Sequence, residues 1–193
     1  MSEPLAFAII AAHVVFLLIV LHYLIVVFYF SNRNSIVPIS SNVRAAAELC
    51  EVLRERMGRP DFTFIDLGCG SGCVVLAVAR EFPSIRAFGM DHNPEVLLAA
   101  KIKKSLRPVR YKNVRFIRAD LWNSDVGALA PDVVYAYLGK RVAAKLGEKL
   151  SRELASGTLV ISNKFRLPGL SQVGIVEFKT LLNGPLYIYK IPC

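Results

Sequence analysis

Hydrophobic and polar positions alternate in two distinct ways along this chain. Residues 5–30, LAFAIIAAHVVFLLIVLHYLIVVFYF, contain no Asp, Glu, Lys or Arg. A helix of that length reaches about 39 Å at 1.5 Å per residue, enough to cross a hydrocarbon core with some tilt. Beyond residue 42, short apolar runs alternate with amphipathic stretches. FTFIDL (62–67), IRAFGMD (85–91), NVRFIRA (113–119), DVVYAYL (132–138), GTLVISNKF (157–165), VGIVEFK (173–179) and PLYIYKI (185–191) predict seven strands. Between them, helical spacing predicts a helix over VRAAAELCEVLRERM, capped by Ser41 or Asn42, with Val43, Ala46, Ala47, Cys50 and Leu53 on one face. Gly58 and Pro60 stop it. Further helices are predicted over 72–81, from Asn93-Pro94 onward, and over 140–155, the last with Val142, Leu146, Leu150 and Leu154 in one row.

Strands alternating with helices imply an α/β domain with a parallel sheet covered on both faces. The last two strands are joined only by TLLNG, too short for a crossover helix, so they should pair antiparallel. The expected organisation is an anchor over 1–30, a polar linker over 31–42 and a single α/β domain over 43–193.

Composition sharpens the anchor. No Lys or Arg precedes the apolar run, and the run is too long for the core of a cleaved signal peptide, so a retained single-pass transmembrane helix is expected. Arg33 and Arg44 follow it closely, which places the C-terminal part on the cytoplasmic side, or the matrix side in a mitochondrion. His13 and His22 lie inside the run without a third ligand and read as neutral imidazoles. The four cysteines form no CxxC pair and have no His-rich cluster beside them, which suits a reducing compartment and argues against a bound metal.

All 24 Lys and Arg lie beyond residue 32, with 14 of the 15 acids, so this part is drawn towards anionic headgroups. The densest stretch, KIKKSLRPVRYKNVRFIR (101–118), holds eight basic residues and no acid. Read as a solvated helix end near a membrane, its cations suit the helix dipole, and nucleic-acid binding is the less favoured reading.

Chemistry concentrates in TFIDLGCGSGCVVLA (63–77), where Gly68, Gly70 and Gly72 follow a strand and open a helix. Glycines there tolerate positive φ and let backbone N–H groups approach a nucleoside ligand closely. A phosphate-binding loop would need Lys and then Ser or Thr where Cys73 and Val74 stand, and the dinucleotide GxGxxG spacing is absent. Asp66, two residues before the first glycine, would repel a pyrophosphate but suits a cationic ligand. These features select S-adenosyl-L-methionine, a sulfonium bearing an amino group. Asp91 ends the second strand, placed for the ribose hydroxyls, and Asp120 ends the third, placed for the adenine amino group with Leu121 or Trp122 over the ring. Cys69, His92 and Asn93 flank these positions and complete the expected cofactor contacts.

The motifs DLGCGSG (66–72), GMDHNPE (89–95), DLW (120–122) and VISNKFRLPG (160–169), with the anchor and VPIS (37–40), resemble the class I S-adenosylmethionine-dependent methyltransferases. The resemblance is narrower to the membrane-anchored adenine nucleotide translocase and ATP synthase c-subunit lysine methyltransferases. It departs from them at Ser71 and Cys73, where that family carries an acid and a base, and at Asp91, where it has Glu. It implies a Rossmann-like seven-stranded sheet and methylation of a lysine on a membrane protein. The alternatives are a lipid, small-molecule or RNA acceptor, or a cofactor-binding scaffold of weak activity. The end of the fourth strand, YAYLGK, is where such enzymes shape the acceptor site, which makes Tyr137 the candidate for orienting the amine.

Overall fold

The computed structural model describes residues 3–34, 43–177 and 184–192. The VPIS segment, Ser41 and Asn42, residues 178–183 and Cys193 lie outside the described residues. The chain divides into two compact units, Met1–Pro38 and Ile39–Cys193.

The first unit is a single helix, α1 (Glu3–Asn34). Its stretch Ile9–Val26 has a mean hydropathy of 2.7 and is long and apolar enough to cross a membrane. Helix geometry continues four residues past the apolar run, into Ser31–Asn34, which composition reads as linker. Inside the run, His13 Nδ1 lies 2.7 Å from the Ile9 carbonyl one turn back, a local partner.

The second unit is a seven-stranded sheet in the order β3-β2-β1-β4-β5-β7-β6. β1 (Thr63–Leu67), β2 (Arg86–Asp91), β3 (Val114–Arg118), β4 (Val133–Ala136) and β5 (Leu159–Asn163) run parallel. β6 (Gln172–Val176) and β7 (Leu186–Lys190) close the sheet. These two pair antiparallel as their short connection requires, and β7 lies between β5 and β6, antiparallel to both. β1, β4 and β5 are buried along their whole length, which explains why they read as continuous apolar runs without alternation.

The parallel strands are linked by α3 (Cys73–Glu81), α4 (Pro94–Ser105) and α5 (Lys140–Glu153). α2 (Val43–Met57) precedes β1 and packs on α3. On one face of the sheet, Leu49, Leu53, Val75 and Val78 form a single cluster with Phe64, Tyr135, Ile161 and Ile188. The buried face of α2 is wider than its spacing predicts. Ala45, Leu49 and Val52 join Ala46, Cys50 and Leu53 inside, whereas Ala47 is exposed. In α5 the row Val142, Leu146, Leu150 and Leu154 is buried as predicted.

Candidate active site

The chain runs outward from β1 to β2 and β3, then returns to place β4 on the other side of β1. The crevice at this reversal, beyond the carboxyl ends of the strands, is where an open α/β sheet binds its ligand. The glycine loop lies there. Gly68, Gly70 and Gly72 all adopt left-handed backbone, with φ of +75°, +53° and +76°. Backbone N–H groups of Gly68 and Cys69 both donate to the Met90 carbonyl, at 2.8 and 3.0 Å, which locks the loop to the end of β2. A Cβ on Gly68 would come within 2.4 Å of Leu138 Cδ2, and one on Gly72 within 2.6 Å of Phe116 Cζ. A Cβ on Gly70 would meet nothing within 4 Å.

Asp91 organises the floor of this loop. One carboxylate oxygen accepts from Gly70 N and the other from Asn93 N, each at 2.9 Å. His92 Nδ1 lies 3.5 Å from Asp91 Oδ1. Each carboxylate oxygen keeps a lone pair for a further donor such as a ribose hydroxyl. Asn93 caps α4, its side-chain oxygen accepting from Glu95 N at 2.9 Å. One strand over, Ala119 N donates to Asp91 O and ties the end of β3 to β2. There Asp120 Oδ1 accepts from Trp122 N at 2.7 Å, while Leu121 is half-buried and Trp122 exposed.

Asp66 is the least ordinary residue of the site. It is 3% exposed, and among the described residues no donor or cation satisfies its carboxylate. Burial, then repulsion from Asp91, pushes its acid up to about 8. An ionised carboxylate in this position calls for a positive partner, and the α-ammonium of S-adenosylmethionine would be one. Together with the open space at Gly70 and the free acceptor capacity of Asp91 and Asp120, these residues fit that cofactor. Cys69 is buried beside them. Burial first, and then Asp66 and Asp91, raise its thiol well above the ordinary value, so it stays protonated.

Tyr137 follows β4 and is half-buried against the core cluster. Burial raises its phenol above the ordinary value, so it remains a neutral hydroxyl at physiological pH. Its neighbour Leu138 packs against Gly68, which ties the end of β4 to the glycine loop. At the end of β5, Asn163 Nδ2 donates to the Tyr135 hydroxyl at 3.0 Å, and its buried Oδ1 has no partner among the described residues.

Several contributors escape sequence reasoning. Lys103 of α4 donates to Ser71 O (3.2 Å) and Oγ (2.8 Å), bringing a cation to the glycine loop beside Cys73. Lys149, buried on α5, pairs with Glu153 and donates to Ser124 O at 2.7 Å, while Glu153 accepts from Val126 N at 3.0 Å. This clamp holds the segment that carries Asp120. Apart from the i,i+4 pair Lys149–Glu153 these contacts are long-range, and the one available signal is a lysine at a buried helix position. A separate cavity of about 600 Å³ opens at the amino ends of the strands, among Arg56, Arg59, Asp132 and Lys190, and Asp66, Gly70, Asp91, Asp120 and Tyr137 do not line it.

Comparison with known proteins bears on the same residues. The chain is 27% identical over 131 residues to a protein-lysine N-methyltransferase of Saccharolobus islandicus, covering 65% of this chain and 77% of that one. It is 30% identical over 144 residues to the adenine nucleotide translocase lysine N-methyltransferase of Mus musculus, covering 75% of this chain and 59% of the mouse enzyme. A solved RNA methyltransferase from Salinibacter ruber, in complex with S-adenosyl-L-homocysteine, shares the fold with a TM-score of 0.69 at 24% identity, over 80% of this chain and 94% of that one. The family model for the ANTKMT methyltransferase domain matches residues 66–174, from the buried Asp66 to β6, which is more than half of the chain. The chain therefore belongs to the ANTKMT methyltransferase family and is an S-adenosylmethionine-dependent methyltransferase.

Proposed function

We propose that the protein is a lysine N-methyltransferase, held at a membrane by α1 and acting on a protein at that membrane. What supports the reading is that the buried, unpaired Asp66 and the neutral Tyr137 both lie near the carboxyl ends of the adjacent parallel strands β1 and β4. The similarity to relatives named for lysine methylation supports the acceptor class. The apolar stretch Ile9–Val26 supports the anchor, and the basic residues that follow it support a cytoplasmic or matrix-facing domain.

In this reading Asp66 holds the cofactor's ammonium, Asp91 and Asn93 hold the loop that faces its ribose, and Asp120 and Leu121 border its adenine. The bound cofactor supplies an electrophilic methyl group for an in-line displacement. An acceptor lysine, with an ordinary pKa near ~10.4, must be neutral to attack. A half-buried slot beside Tyr137 lowers that pKa, because desolvation disfavours the ammonium form. The Tyr137 hydroxyl accepts one amine N–H and aims the nitrogen lone pair, holding the reacting atoms about 3–3.5 Å apart. The lysine ammonium gives up its proton before attack, and the nitrogen lone pair then forms the new N–CH3 bond as the S–CH3 bond breaks. Confinement to the membrane layer raises the effective concentration of membrane targets.

Membranes incubated with methyl-labelled cofactor and the full chain test this directly. The expected result is label in a protein band that yields methyl-lysine on hydrolysis. Label in the lipid extract or in RNA would overturn it.

A further inference from the structure

We propose that the outer face of α4, with the turn after it, is a second membrane contact that rests on anionic headgroups. It rests on the reading of α1 as the anchor only in that α1 brings the domain to a bilayer. α4 is apolar on two sides. Leu97 and Ala100 are buried beneath it, whereas Leu98, Ile102 and Leu106 are 60%, 53% and 74% exposed. At 3.6 residues per turn these three fall within an arc of roughly 80°, opposite the buried pair. Val109, just beyond, is 86% exposed and extends the row. Among the described residues of 43–192, the other exposed large apolar side chains are Trp122 at the site and Val173 and Ile175 on the edge strand. The row is thus the longest apolar stripe that this domain turns to solvent.

Cations flank it: Lys101 and Lys103 fall about 60° to either side of the row, and Arg107 and Arg110 follow in the turn after the helix. No acid occurs from residue 96 to 119, and the side chains of Lys101, Arg107 and Arg110 make no ion pair or hydrogen bond among the described residues. A solvated helix end explains lysines in the last turn, through the dipole, but leaves the stripe of Leu, Ile and Val unexplained. Nucleic acid would take the cations, but the row offers no aromatic face for a base to stack on. An apolar row flanked by Lys and Arg is the pattern of a surface lying in the headgroup layer, with aliphatic side chains in the acyl boundary and cations on phosphates. Asn93, which caps α4, also donates to Asp91, so this contact sets the orientation of the cofactor site relative to the membrane.

The test is amide hydrogen exchange on the full chain in detergent, in phosphatidylcholine nanodiscs and in nanodiscs of phosphatidylcholine with phosphatidylglycerol. Residues 98–112 should exchange at least about threefold more slowly in the anionic discs than in the other two, with the difference shrinking in high salt. The double variants Leu106→Ser/Val109→Ser and Lys101→Glu/Arg110→Glu should each abolish that protection. Unchanged calorimetric affinity for S-adenosylmethionine shows that the variants are folded. Equal exchange in anionic discs and detergent would overturn the proposal, as would protection that survives both variants. Protection by single-stranded RNA in detergent would overturn it in favour of nucleic acid. Resistance of the disc-bound chain to alkaline carbonate reports on α1 separately, so failure of the anchor and failure of the α4 contact are told apart.

Discussion

Asp66 and Asp132 are carried by neighbouring strands at opposite ends of the sheet, and they are treated in opposite ways. Asp132, just before β4, pairs with Arg59 and accepts from Thr63 N at 2.7 Å, so both of its oxygens have partners. Asp66, near the end of β1, is buried with none among the described residues and lies close enough to Asp91 to be repelled by it. The glycines differ likewise. Gly157, at the amino ends, has φ +85° and open space around its missing Cβ, as Gly70 has at the carboxyl ends. Gly157 turns the chain beside the cavity at the amino ends, while Gly70 N donates to Asp91 within the glycine loop. The amino ends are built to be stable. At the carboxyl ends stability is given up at Asp66, where a cationic ligand would restore it.

Replacing Asp66 should break this contrast most. Asp66→Asn removes the counter-charge of a buried ammonium and should weaken cofactor binding by about a hundredfold or more, measured by calorimetry. The same change should stabilise the ligand-free protein. The folded-state acid of Asp66 is raised from 3.8 to about 8, so its protonated form favours folding below pH 4, and that contribution is lost as pH rises to about 8. Thermal unfolding should therefore show wild type and variant alike near pH 4, with the variant ahead near pH 8 by a margin on the order of a few kcal/mol.

Tyr137→Phe should lower kcat about tenfold or more and leave cofactor affinity unchanged, separating the acceptor side of the crevice from the cofactor side. The glycine pair then sharpens the comparison. Gly70→Ala and Gly157→Ala should each lower stability by about 1 kcal/mol, because both place Ala at positive φ. Only Gly70→Ala should also weaken cofactor binding, by roughly tenfold, since Gly70 lies in the glycine loop. Asp132→Ala should act in the reverse sense, costing about 1–2 kcal/mol in denaturant unfolding while cofactor affinity holds.

What could be read from the sequence follows the range of the interactions. β1, the loop and α3 are contiguous, so the apolar run, the acid and the three glycines appear as one local pattern. Asp91 and Asp120 are legible because each ends a strand. The antiparallel pairing of β6 and β7 follows from a short connection, but the insertion of β7 beside β5 does not, because no local feature records which strand a returning segment joins. For the same reason Lys103 on Ser71, Leu138 under Gly68 and Lys149 on the β3–β4 connection were not foreseen. Each pairs residues some 25 to 70 positions apart, through side chains whose local pattern is that of an ordinary helix or strand end. α4 shows the converse: the eight cations of residues 101–118 were legible, but the outward apolar row emerged only once Leu97 and Ala100 were seen to hold the inner face.

The central claim is that Asp66 is the counter-charge for the cofactor, and proton release on binding tests it most directly. At pH 6.5 the ligand-free side chain is mostly protonated, while pairing with an ammonium requires the carboxylate. Titration calorimetry of S-adenosylmethionine, in two buffers of different ionisation enthalpy, should show close to one proton released per molecule bound by the wild type and none by Asp66→Asn. Tight binding to both proteins with no proton released by either would contradict the account.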